Sequence, residues 1–212
     1  ALPLQLDVRD FDSIQQMVEA AWRHYSQIDI LVNNASAIML AGTRDLPIKR
    51  YDLMFDVNVR GTYLMSRACI PQLIRSSNPH VLNLAPPLNL NPEWFKSHVA
   101  YTTAKYGMSM CVLGMAGEFR DAGIAVNALW PRTTIATAAV NMLGGDELIQ
   151  HSRKPEIMAD AAHIILTRPS REFTGNFCVD DAVLEDEGIT DLSSYSVNPD
   201  LPPAPDFFVE PR

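Results

Sequence analysis

The chain has 212 residues, 47% of them hydrophobic, with a formal net charge of -8 at pH 7; that length supports one well-buried domain and is short for two. The negative charge works against phosphate backbones and anionic lipid surfaces, and no apolar run nears the roughly 20 residues that cross a bilayer, so neither nucleic acid nor membrane is an expected partner. Three cysteines without a Cys-x-x-Cys pair cannot all pair within one chain, which suits a reducing compartment, the cytoplasm by default, unless upstream residues carry an organellar address.

Short apolar runs at residues 4–8, 28–33, 80–85, 124–130 and 176–179 alternate with helical stretches. This is the pattern of a parallel sheet covered on both faces, and five buried strands are expected. Asp12 precedes an amphipathic helix reaching about residue 26. Pro47 opens a second helical region reaching about residue 76, with Gly61 as the expected break. The longest helix is expected over residues 98–119. Its small and sulfur-bearing residues, among them Ala104, Gly107, Met108 and Gly114, favour close packing on the sheet or against the same helix of a second copy. Residues 1–185 read as one domain. Residues 186–212, with five prolines from Pro199 to Pro211, read as an extended tail. The acidic cluster Asp180, Asp181, Glu185, Asp186 and Glu187 reads as a solvated surface, and with scattered histidines no catalytic metal is expected.

Tyr101 and Lys105 stand four residues apart, on one face of the longest expected helix. An ordinary tyrosine titrates near 10, and a neighbouring ammonium favours the phenolate and brings proton exchange closer to neutrality. Alone, the pair also fits a surface tyrosine beside a snorkelling lysine.

The surrounding sequence separates the two readings. Leu6-Asp7-Val8, Asn33-Asn34-Ala35-Ser36, Asn58-Val59-Arg60-Gly61, Tyr101-x-x-x-Lys105 and Asn127-Ala128-Leu129-Trp130-Pro131 come in the order and spacing of the short-chain dehydrogenase/reductases, and the chain resembles that family from its start to about Asp181. The resemblance implies an α/β fold, a doubly wound, Rossmann-like parallel sheet in three α/β/α layers. It implies hydride transfer between NADP or NAD, the former favoured, and a carbonyl or secondary alcohol. Tyr101 would be the general acid/base, Lys105 would lower its pKa and hold the nicotinamide ribose, and Asn58 would order a proton-relaying water. Asp7 and Val8 would meet the adenine and Asn33 and Ala35 the adenosine ribose, while Pro131, Thr133 and Thr134 would approach the carboxamide. A small, apolar substrate and a homodimer or homotetramer complete the expectation, with the apolar loop at residues 133–150 covering the ligand.

Three departures from the family pattern stand out. The opening strand and its Thr-Gly-x-x-x-Gly-x-Gly turn have no counterpart in these residues, so the chain reads as part of a longer parent lacking the first two strand–helix units. The hydroxyl that orients the substrate oxygen is replaced within Leu84-Ala85-Pro86-Pro87, where neither Ala85 nor Pro86 can donate from a side chain. Loss of such a donor costs about 3 kcal/mol of transition-state stabilisation. This motivates the alternative of a catalytically impaired protein that binds cofactor or a partner, with Asn89, Asn91 and Thr102 as the nearby candidates to replace the hydroxyl. Finally, Arg132 stands where glycine is usual, as a surface ion-pair partner or as a bidentate contact for an anionic ligand.

Overall fold

The computed structural model describes residues 1–210, so the end of the expected tail, residues 211–212, lies outside the described residues. Four parallel strands, β1 (Ile30–Asn33), β2 (His80–Asn83), β3 (Ala125–Trp130) and β4 (Phe177–Val179), pair in chain order. Asn33 aligns with Asn83, Asn83 with Ala128, and Trp130 with Val179, so all the carboxyl ends reach one edge. The run at residues 4–8 forms no strand. A strand needs a partner's amides and carbonyls, and none of the described residues pairs with this run; Leu6 and Val8 instead pack against the apolar cluster that includes Ile14, Val18 and Leu73. On β1, Leu31 and Asn33 face inward while Ile30 and Val32 stay exposed.

Helix α1 (Phe11–Tyr25) begins where the Asp10 carboxylate accepts from the Asp12 amide, and it ends at Ser26, left-handed at φ 57 and donating to the Trp22 carbonyl. It buries Ile14 and Val18 against α3 (Thr62–Leu73). Pro47 caps α2 (Ile48–Met54) from outside rather than lying within it. The expected break at Gly61 is absent. A π-helical turn, Phe55–Gly61, carries α2 into α3, and Gly61 keeps helical angles. Its lack of a side chain serves a close approach instead, since a Cβ would lie 2.9 Å from Val8 Cγ2.

Helix α4 (Val99–Glu118) packs with α1 and α3 on one face of the sheet, burying Met108, Val112 and Met115 among Val81, Val126 and Leu73. Helix α6 (Glu156–Thr167) covers the other face, where Ala161 and Ile165 meet Leu82 and Leu129. The fold is thus the expected three-layer α/β/α arrangement. Residues 133–150 are not simply a loop, because Thr137 caps α5 (Ala138–Gln150), which kinks at Gly145 with φ 64. The short α7 (Asp180–Asp186) follows β4 directly.

The tail is extended but not free. The Thr134 amide donates to the Ala204 carbonyl at 2.9 Å, and the Asp206 amide to the Arg132 carbonyl at 2.9 Å, so the segment runs antiparallel along residues 132–134. It then turns inward, and Phe208 is 1% exposed.

Candidate active site at the carboxyl edge of the sheet

Tyr101 and Lys105 sit on the first turns of α4 beside the ends of β2 and β3, and they are 5% and 3% exposed. The Lys105 ammonium donates to the Leu84 carbonyl at 3.1 Å and lies 5.0 Å from the centre of the Trp130 ring. Burial pushes Lys105 down to about 8, opposed by the charge of Asp206. Burial also pushes the Tyr101 phenol above its usual range, helped by the Asp206 carboxylate. In this enclosed setting desolvation outweighs the downward pull expected from Lys105, and the phenol stays protonated near neutrality.

Asn58 is fully buried on the π-helical turn. Its Oδ1 accepts from the Ala37 amide at 2.7 Å and its Nδ2 donates to the Ala37 carbonyl at 2.9 Å, so the side chain pins the loop after β1. Gly107 makes this possible from α4, because a Cβ there would come within 2.7 Å of Val59 Cγ2. Asn33 is tied down by donating to Asn83 Oδ1 at 2.8 Å and to Ser66 Oγ at 3.1 Å. It therefore joins β1 to β2 and α3 by side-chain hydrogen bonds.

Asp7, Val8 and Ala35 line one open cavity of about 680 Å³ with Leu53 and Val57. The exposed Asp7 carboxylate is gripped by the Arg9 guanidinium at 2.6 Å, which lowers it to about 2. Pro131, Thr133 and Thr134 continue from β3 and are buried. Thr134 Oγ1 is bonded to Ser152 Oγ, whereas Thr133 Oγ1 is buried without a partner. The structure thus gathers Tyr101, Lys105, Pro131, Thr133 and Thr134 at the ends of β2 and β3, and Asp7, Val8 and Ala35 around the cavity beyond β1, with Asn58 and Asn33 bracing the frame. This donor set fits a nicotinamide nucleotide: an open cavity bordered by Asp7 and Val8, a buried ammonium, and an unpartnered hydroxyl at a strand end. Among the described residues, no glycine-rich turn lies at this edge to hold a pyrophosphate.

The expected stand-ins for the missing hydroxyl are engaged elsewhere. Asn89 Oδ1 accepts from the Asn91 amide at 2.9 Å, Asn91 Oδ1 accepts from the Glu93 amide at 3.1 Å, and Thr102 Oγ1 donates to the Trp94 carbonyl at 2.5 Å. Arg132 is held by the protein itself. Its Nε meets Asp181 Oδ2 at 2.5 Å and its Nη1 the Glu210 carbonyl at 3.0 Å, with side-chain exposures of 14% for Arg132 and 5% for Asp181. This corrects the view of Asp180 and Asp181 as a solvated surface. Asp180 is buried, accepts from the Arg132 and Asp181 amides, and is pushed up to about 6 by desolvation. Among the described residues no group of three or more His, Cys, Asp or Glu is placed to hold a metal.

Residues that the sequence reading missed come from the tail. Asp206 and Phe207 line a cavity of about 390 Å³ with Tyr101, Trp130 and Thr134. The Trp130 indole donates to the Phe207 carbonyl at 2.8 Å, and the Phe208 ring lies against Trp94, Tyr101, Tyr106 and Trp130. Two adjacent phenylalanines in an otherwise polar, Pro-rich stretch were the available signal.

A parallel sheet with a buried Tyr-x-x-x-Lys pair at its carboxyl edge defines a short-chain dehydrogenase, and the sequence profile of that family, short chain dehydrogenase, matches residues 1–147. The chain belongs to that family. Among curated relatives it is 60% identical to hydroxysteroid dehydrogenase-like protein 2 of Danio rerio and 57% identical to that of Homo sapiens, over 99% of this chain and 50% of each relative. It therefore spans about half the length of those proteins. A crystal structure of a dehydrogenase candidate from Xanthomonas campestris superposes with a TM-score of 0.95 at 53% identity, covering 99% of this chain and 77% of that one. A short chain dehydrogenase from Mycobacterium thermoresistibile gives 0.93 at 49% identity, covering 99% and 75%.

Proposed function

We propose that the protein is an NAD(P)-dependent oxidoreductase that interconverts an apolar carbonyl compound and its secondary alcohol, with Tyr101 moving the proton. The observation that carries this reading is the burial of Tyr101 and Lys105 together at the strand ends, with Tyr101 lining a cavity whose walls, Thr134 and Asp206 apart, are mostly apolar. A nicotinamide nucleotide, when bound, supplies or accepts the hydride. Tyr101, held as the neutral phenol, gives its proton to the carbonyl oxygen during reduction and takes one back during oxidation. Lys105 places positive charge beside the tyrosinate that results and, through the Leu84 carbonyl, fixes the start of the loop after β2. Thr133 offers its unpaired hydroxyl, and Asp7, Val8 and Ala35 line the cavity that would take the adenosine end. Ile38, Leu40, Val140, Leu143 and Leu148 make the remaining walls apolar, which supports a substrate with a hydrocarbon body. Exposed Val99, Met110 and Leu113 on α4 support the assembly of two or four copies as part of the same reading.

The test is calorimetric titration of the full-length protein with NADPH and NADH, followed by turnover of ketones, aldehydes and acyl thioesters. The expected result is binding retained in Tyr101→Phe and turnover reduced by about 10²–10⁴-fold. Failure of the full-length protein to bind either nucleotide would refute the reading.

A second reading, a binding protein without turnover, is favoured by one observation: Ala85 and Pro86 cannot donate, and Asn89, Asn91 and Thr102 are engaged elsewhere. Nucleotide binding without oxidation of NADPH across that panel is the result this alternative expects.

A further inference from the structure

The cavity that contains the Tyr101 side chain is closed on one side by the C-terminal segment, and the polar side chain this segment brings there is Asp206. Its position is built rather than incidental. The Asp206 amide is held by the Arg132 carbonyl, the next residue's carbonyl is held by the Trp130 indole, and Phe208 is sunk among aromatic rings. One carboxyl oxygen accepts from the Phe207 amide at 2.6 Å. The residue is half-buried and lines the cavity.

We propose that Asp206 is the group that meets the substrate oxygen beside Tyr101, in place of the hydroxyl that Ala85 and Pro86 lack. The proposal rests on the oxidoreductase reading above. To donate, the carboxyl must carry a proton. Burial pushes it up to about 7, with Lys105 pulling it down and Asp180 pushing it up, while Tyr101 faces it as a neutral phenol. As the carbonyl carbon receives hydride, the C=O π pair moves onto oxygen and the Tyr101 O–H bond breaks toward that oxygen. Asp206 keeps its proton and stabilises the developing charge, and the tyrosinate regains its proton from solvent. Above its titration Asp206 would no longer donate and would repel the developing alkoxide, so the carbonyl-reducing rate falls as pH rises through about 7.

The test uses the full-length protein with NADPH and phenanthrenequinone, an apolar dicarbonyl. Asp206→Ala should lower kcat by about 100-fold or more with little change in NADPH affinity. Asp206→Asn, which keeps a donor of the same shape and cannot ionise, should recover at least about tenfold of that loss and remove the fall above neutrality. An unchanged kcat and pH profile in Asp206→Ala would overturn the proposal. Tyr101→Phe run in parallel separates the two claims, because turnover surviving in that variant removes the proton role of Tyr101 and leaves the Asp206 comparison readable. If the wild type turns over none of the probe, ultraviolet titration of the tyrosinate decides. Removing the facing carboxylate in Asp206→Asn should lower the Tyr101 titration, and an unchanged titration overturns the placement.

Discussion

Replacing Phe208 by alanine should detach the C-terminal segment while leaving the sheet folded. Phe208 is 1% exposed, and its ring centre lies 5.4 Å from Tyr106, 5.7 Å from Trp130, 6.0 Å from Trp94 and 6.2 Å from Tyr101. Truncating a buried phenylalanine costs about 3–5 kcal/mol. The cost here falls on docking, because residues 204–206 run along residues 132–134 without belonging to the sheet. At about 1.4 kcal/mol per decade, the docked-to-open ratio should drop by about two to three and a half orders of magnitude. Native-state hydrogen exchange measures this at the Thr134 and Asp206 amides, which donate to Ala204 and Arg132, with the β3 amides as internal standard. Phe208→Gly supplies a second comparison. The residue sits at φ 73, where a non-glycine residue pays about 1–2 kcal/mol, so the glycine variant should dock more tightly than the alanine variant despite having fewer atoms. Unchanged exchange at both amides in Phe208→Ala would refute the view that this ring holds the segment down.

Three further outcomes follow from the same geometry. Asp181→Ala should cost about 3–5 kcal/mol in urea unfolding because it strands the mostly buried Arg132, whereas Asp45→Ala at the exposed Arg44 pair should be near neutral. Gly107→Ala should cost about 1–3 kcal/mol by driving a Cβ into Val59, and the added substitution Val59→Ala should recover much of it in a double-mutant cycle. Asp206 binds its proton more tightly when folded than at its ordinary value of 3.8, so its contribution to stability is present at low pH and is lost as pH rises from about 4 to about 7. The unfolding free energy of Asp206→Asn should accordingly vary less with pH across that window than that of the wild type, and an identical slope would contradict the burial of the carboxyl.

The parts of the fold that could be read from the sequence are those whose environment is local or uniform. Strands β2 and β3 are buried on both faces and therefore appear as mainly apolar runs, broken only by His80, Asn83 and Asn127, and the Tyr101–Lys105 pair, ambiguous by helical spacing alone, is read from the motifs around it. Residues 4–8 carry the same apolar signal without becoming a strand, because pairing depends on a partner that local composition cannot report. Helix α6 carries a local signal of its own: Ile157, Ala161 and Ile165 recur every four residues along its buried stripe. Charge was the least legible property. Asp180, Asp181 and Arg132 look like solvated surface in sequence, and only the fold, by bringing the residues after β3 against the start of α7, turns the three into an enclosed cluster. The role of Asp206 depends on a contact across some 70 residues of chain to Arg132, whose existence the two phenylalanines hint at but do not locate.

The π-helical turn between α2 and α3 has a consequence for how one helical rod divides its loyalties. An α-helix advances about 100° per residue, so widening a single turn rotates everything beyond it relative to everything before. The rod's first portion can therefore point its apolar side at α4 while its second portion points at α1 and β1, and Asn58 lies on the turn where the bearing changes. Deleting one residue between Phe55 and Gly61 would leave a more regular helix aimed at the wrong neighbours.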